Sequence, residues 1–160
     1  MSVYVATRPE MLSQGDILEN VPFLRRRGRD LGEVEIWPML GIVTAHSCEI
    51  DKYDRALERG HSAVALWPVS VAPVMDIEMM PTGQPADARR GKIKRYAHLP
   101  SEDGNPEMVV DFYFDQPVPI QILRALKKRA HLSDQWVTRL QSRMVIFRTR
   151  RDLDAEVPPS

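Results

Sequence analysis

The sequence predicts a mainly-β domain, a small barrel or strongly bent sheet buttressed by C-terminal helices. Three observations carry that expectation. Short runs rich in Ile and Val, separated by turn residues, dominate the first 115 positions. The 13 prolines fall mostly between these runs or at their ends, which suits a bent antiparallel sheet better than βαβ units. Beyond residue 119 the apolar spacing changes from that of a strand to that of a helix.

Taken in order, "GDILENVPFL" (15–24) reads as a first strand, entered at Gly15-Asp16 and bent or edged at Pro22. "EVEIWPMLGIVTAH" (33–46) reads as one or two strands, with Pro38 interrupting the ladder. "SAVALWPVS" (62–70) is apolar enough to be buried on both faces. "KIKRYAHL" (92–99) and "EMVVDFYF" (107–114) complete a five-stranded set; in the latter Val109, Asp111 and Tyr113 share one face. "PIQILRALKKRA" (119–130) places Ile120, Leu123, Leu126 and Ala130 at helical spacing. "SDQWVTRLQSRMVIFRT" (133–149) aligns Trp136, Leu140, Met144 and Phe147, with Arg139, Arg143 and Arg148 off the stripe. Ser133 is the expected N-cap, with Asp134 in the first turn. Residues 1–150 read as one barrel domain with its C-terminal helix, and 151–160 as a flexible acidic tail.

A chain of 160 residues, 43% hydrophobic and 28% charged, can bury a core without staples. It has no apolar run of the roughly 18 residues that would span a bilayer, and no basic-then-apolar leader. A single cysteine forms no internal disulfide, which suits the cytoplasm. The 22 basic and 22 acidic residues cancel, so any attraction for nucleic acid must be local. Local basic clusters exist: "RRRGR" (25–29), "RRGKIKR" (89–95) and "RALKKRAH" (124–131).

Phosphate-binding loops, dinucleotide fingerprints, zinc-helix motifs and nucleophile elbows are missing. No cofactor is expected. The polar run "HSCEIDK" after Val43 concentrates what chemistry there is. His46, Cys48, Asp51 and His61 have no known metal spacing, and no metal is expected. On a continuing strand His46 and Cys48 would share a face with Cβ atoms about 6–7 Å apart, too far for a nucleophile–base hydrogen bond. Chemistry at this rim therefore falls to His46 before Cys48.

"QGDI" opening a strand, a basic loop, a Pro-led apolar strand from Pro38 to Thr44, "ALWPVS" and "HLSDQWVTRLQSRM" together resemble the ground plan of the MazF/PemK-type toxins. The resemblance spans most of residues 14–147. It implies an SH3-like barrel that cuts RNA without metal, as a homodimer, with an antitoxin or another protein as partner. By it, Arg25, Arg26, Arg27 and Arg29 would contact RNA, and Ser70 would lie at the scissile phosphate with His46 nearby. One departure is specific. Where that family commonly carries a basic residue before its second-strand proline, this chain has Trp37, whose ring can stack on a base but cannot neutralise an oxyanion.

Two function classes follow: a metal-independent endoribonuclease of toxin type, or an RNA-binding relative whose site is degenerate. The alternative is a non-catalytic SH3-like module binding protein or nucleic acid, such as a phage or mobile-element accessory protein. A Cys48-dependent enzyme is a third, weaker class. No membrane partner is expected.

Overall fold

The computed structural model describes residues 2–7, 11–26 and 33–155, without the side chains of residue 26 and of 150–155. In chain order the elements are β1 (Tyr4–Val5), β2 (Asp16–Arg26), β3 (Val34–Val43), α1 (Ser47–Glu58), β4 (Pro68–Asp76), α2 (Gln84–Arg89), β5 (Tyr96–Leu99), β6 (Met108–Asp111), β7 (Gln116–Pro119), α3 (Ile120–Ala125), β8 (Lys128–Leu132) and α4 (Asp134–Ala155). Short 3₁₀ turns precede β4, follow it, and follow β6.

All strands join one antiparallel sheet in the order β1-β8-β2-β3-β4-β6-β5, with β7 also paired to β4. The sheet is open: β1 and β5 are its two ends, and they do not pair. This corrects the expected SH3-like barrel, and with it the MazF/PemK-type resemblance. The fold is mixed α/β, with helices between strands rather than gathered at the C-terminus.

Each departure has a local cause. "HSCEIDK" reads as a polar rim, yet it opens α1 over Ser47–Glu58, where Ile50, Tyr53 and Leu57 recur at helical spacing and Ile50 is fully buried. In "SAVALWPVS" residues 62–66 form a 3₁₀ turn, and the strand starts only at Pro68. The expected helix over 119–130 stops at Ala125. In Lys128–Leu132 the alternate residues Ala130 and Leu132 are buried, and β8 inserts between β1 and β2. β6 stops at Asp111, whose side chain accepts from Tyr113 N at 3.1 Å and starts a 3₁₀ turn.

The sheet is covered on both faces. Ile17, Ile42, Ala72, Val74, Val110 and Leu132 point toward α4, whose stripe of Trp136, Leu140, Met144 and Phe147 packs on them as expected. Their neighbours Leu18, Val43 and Val71 face the other way, onto Ile50 of α1 and Ile120 and Leu123 of α3. Ser133 Oγ donates to Ser2 O at 2.9 Å, tying β1 to the entry of α4.

Pro22 and Pro38 are cross-strand partners, and beyond them β2 and β3 leave their other neighbours as a two-stranded hairpin. A register shift between Leu18 and Val21, with Asn20 at φ 58, turns β2 over its own sheet. Val21 and Phe23 thereby press on Gly41: a Cβ there would lie 2.7 Å from Val21 Cγ2, 2.9 Å from Val71 Cγ1 and 3.0 Å from Phe23 Cζ. Leu24 N then donates to Gln116 Oε1 at 2.9 Å, a side-chain link between the hairpin and β7 rather than a strand ladder. Among the described residues no helix is long and apolar enough to cross a membrane.

Candidate functional site

β3 ends at Val43, and the chain turns at Thr44 and Ala45, whose N–H groups donate to Ser70 O at 3.0 and 3.2 Å. His46 is the N-cap of α1: its Nδ1 accepts from Cys48 N at 3.2 Å, and its carbonyl accepts from Glu49 N at 2.9 Å. The turn brings Cys48 Sγ to 3.0 Å from the same Nδ1. The separation expected for a strand is therefore overturned, because residues 46 and 48 enter a helix. With Nδ1 accepting from the backbone, a neutral ring carries its proton on Nε2, and His46 is set as a donor toward its surroundings. Cys48 is exposed.

Ser70, on β4, lines the same cavity as His46, about 490 Å³ in volume, between the start of α1, β4 and α4. Sequence reading thus put two residues into one cleft across 24 positions of chain. It did not anticipate the other walls, Thr44, Gln141 and Arg148. Arg148 donates to Asp115 Oδ2 at 3.1 Å and Thr44 Oγ1 donates to Asp115 Oδ1 at 2.8 Å, so this carboxylate is satisfied inside the protein. Gln14, almost wholly buried, bridges the back wall: it donates to Thr44 O at 2.9 Å and accepts from Gln141 Nε2 at 2.7 Å. Glu49 also lines the cleft, in the first turn of α1 where the helix dipole offsets its charge. Ser70 Oγ has no hydrogen-bond partner among the described residues.

Exposed aromatics stand next to residues of the cleft wall in sequence. Trp67 precedes the lining residue Pro68 and is held edge-on by Tyr53 at 4.6 Å between centroids. Next to Asp115 in sequence, Tyr113 and Phe114 are about half exposed and share the guanidinium of Arg95, 5.0 and 5.3 Å from their centroids. Arg95 is fixed by the fully buried Asp111 through Nε to Oδ1 at 2.7 Å. That hydrogen bond pushes the Arg95 pKa up.

The expected nucleic-acid contacts divide. Arg25 and Trp37 are exposed on the hairpin, with the Arg25 guanidinium 4.1 Å over the Trp37 ring. Arg26 ends β2, and Arg27 and Arg29 lie outside the described residues. The hairpin approaches the cleft through Gln116, the residue after Asp115. The remaining histidines are elsewhere: His61 lines a separate cavity with Arg55 and Arg59, His98 bonds Glu107 at 2.6 Å, and His131 bonds Asp16 at 2.9 Å. Among the described residues no three His, Cys, Asp or Glu side chains are grouped to hold a metal ion.

No protein-family model matches the chain, and no curated protein matches it significantly. With the open sheet, this leaves the toxin-type endoribonuclease expectation without support from fold or kinship.

Proposed function

We propose that this chain is a binding module for single-stranded RNA that holds the strand in the cleft of His46, Ser70 and Arg148 without cutting it. The observation that carries the reading is the meeting in one cleft of two phosphate donors, His46 and Arg148, with exposed aromatics adjoining in sequence: Trp67 beside the lining residue Pro68, and Tyr113–Phe114 beside Asp115, which bonds Thr44 and Arg148. Aromatic faces take bases by stacking, and cationic or N–H donors take the backbone, without a demand on sequence. Arg25 of the adjoining hairpin adds a third donor.

Binding without cleavage follows from how the donors are held. The His46 Nδ1 lone pair is occupied by Cys48, and among the described residues Ser70 Oγ is hydrogen-bonded neither to His46 nor to the Glu49 carboxylate on the cleft wall, so no base is coupled to an attacking hydroxyl. The test is fluorescence anisotropy of a labelled single-stranded RNA against wild type, Arg148→Ala and Trp67→Ala, with the same mixtures run on a gel in EDTA. The expected result is binding weakened in both variants and RNA left intact. About two phosphates neutralised by Arg25 and Arg148 predict a slope of log affinity against log salt near −1.4. Affinity indifferent to both substitutions would overturn the reading. Discrete cuts lost in His46→Ala or Ser70→Ala would replace it with catalysis.

A further inference from the structure

On the opposite flank of α4 lies a second groove of about 400 Å³, walled by α2 with its following turn, by β5 and by α4. Its floor is apolar, from Ala97, Leu99, Leu140 and Trp136. Its rim is cationic, from Arg89, Arg90, Arg139 and Arg143. No carboxylate lines it.

The four arginines are not equivalent. Arg89 is engaged by Glu107, with Nε to Oε1 and Nη2 to Oε2 both at 2.7 Å. Arg143 reaches across the groove's end to Gly91 O at 3.1 Å, Ile93 O at 3.0 Å and Tyr96 O at 2.9 Å. Those partners are neutral carbonyls, so they fix the guanidinium and the wall without cancelling its charge. Burial correspondingly lowers its pKa. Arg90 is exposed and has no carboxylate partner among the described residues. Arg139 lies 4.7 Å over the Trp136 ring, also without a carboxylate. The nearby acids are already paired: Glu107 with Arg89 and His98, and Asp87 with Lys92 at 3.4 Å. Three positive charges therefore meet on one concave surface with no internal counter-ion among the described residues.

We infer that this groove is a nucleotide site, in which Arg90 and Arg143 take the phosphate of a nucleoside monophosphate while its base lies against the Arg139 guanidinium stacked on Trp136. Guanidinium groups match phosphate oxygens in geometry as well as charge. The cavity is within the size range of small-ligand sites, about 300–1,000 Å³, and its apolar floor with convergent polar groups is what such sites share. The site is independent of the cleft assigned to RNA, being built by other residues on the other side of α4.

The test is calorimetric titration of the full chain with adenosine monophosphate, adenosine, inorganic phosphate and a single-stranded oligonucleotide. Wild type is compared with Arg90→Glu, Arg139→Glu and Arg139→Gln, and with Arg148→Ala as the control at the RNA cleft. Circular dichroism checks that each variant is folded, and the exposed Arg90 and the neutral Arg139→Gln keep the test valid if Arg139→Glu is not. The inference predicts binding of the monophosphate in wild type and in Arg148→Ala, weakened about tenfold or more in the groove variants, with phosphate competing. It is overturned by no binding at about 5 mM ligand, a Kd giving only about −3 kcal/mol. It is also overturned if affinity is equal for adenosine, or if only the oligonucleotide depends on Arg90 and Arg139. Failure of RNA binding at the other cleft leaves all these outcomes readable.

Discussion

Replacing Gly41 by alanine tests how β2 is folded over its own sheet. The added methyl would meet Val21, Val71 and Phe23 at 2.7, 2.9 and 3.0 Å, all three of them buried. Relaxed carbon contacts lie near 3.5–4.0 Å, so the neighbours must retreat by roughly 0.5–1 Å. Overpacking of this kind costs about 1–3 kcal/mol, offset by about 0.4–1 kcal/mol from the lower entropy of the unfolded alanine chain. The net is a loss of about 1–2 kcal/mol. For a chain of 160 residues this is a fall in melting temperature of about 2–8 °C, read by circular dichroism. Val21→Ala in the same chain vacates the space the methyl needs. The double variant should therefore be more stable than the sum of the single losses, by about 1 kcal/mol. An unchanged or raised melting temperature in Gly41→Ala, or strict additivity with Val21→Ala, would refute the packing argument.

Three further outcomes are expected. Hydrogen bonds from Arg89, and then from His98, hold the Glu107 carboxyl down at about 2 against an ordinary 4.5. Because the folded value is depressed, the stabilisation is complete above pH 4.5 and lost as pH falls toward 2. Melting curves of wild type and Glu107→Gln should converge across that window, and a constant gap would contradict it. Among the described residues Tyr4 Oη is buried without a partner, and burial pushes the phenol up to about 12. Tyr4→Phe should leave stability unchanged or raise it by up to about 1–2 kcal/mol in chemical denaturation, whereas a loss would reveal a partner for that hydroxyl. Asp111→Asn removes the counter-charge of Arg95 while keeping an acceptor for Tyr113 N. Since the Arg95 side chain is 37% exposed, the loss should be about 1–3 kcal/mol rather than the full cost of breaking a buried pair, and a melting temperature within error of wild type would count against it.

Some of this architecture was legible in the residues and some was not. The α4 stripe could be read because four large apolar residues recur over three turns, a pattern few other structures produce. Pro38 was expected to interrupt the ladder, yet β2 and β3 pair without a break through Pro22 and Pro38, which lie opposite one another, and the register shift falls earlier, between Leu18 and Val21. Helix α1 was hidden because its cap is a histidine and most of its faces are charged, leaving Ile50 as its one fully buried anchor. Strand β8 was hidden for a different reason. "LKKRAHL" suits a helix locally, and pairing with segments more than 100 residues earlier decides its conformation. The joining of His46 to Ser70 was expected, through a resemblance the fold does not uphold. Arg148 and the Arg90–Arg139 pair could not be found by spacing, because their neighbours come from distant parts of the chain.

Strand β1 pairs with β8, so Tyr4 meets Leu132 and Val5 meets His131. Asp16 and Ile17 likewise wait for His131 and Ala130. During synthesis β1 therefore has no strand to dock on until residue 132 has followed it, whereas β2 can already pair with β3 through Ile17 and Ile42. Until β8 and α4 have been made, one edge of β2 is open and the face that α4 will cover is bare. Native contacts of such high sequence separation make folding slow and largely post-translational. A nascent chain stopped before α4 should be a client for chaperones, and the last turn of the sheet should form together with the first.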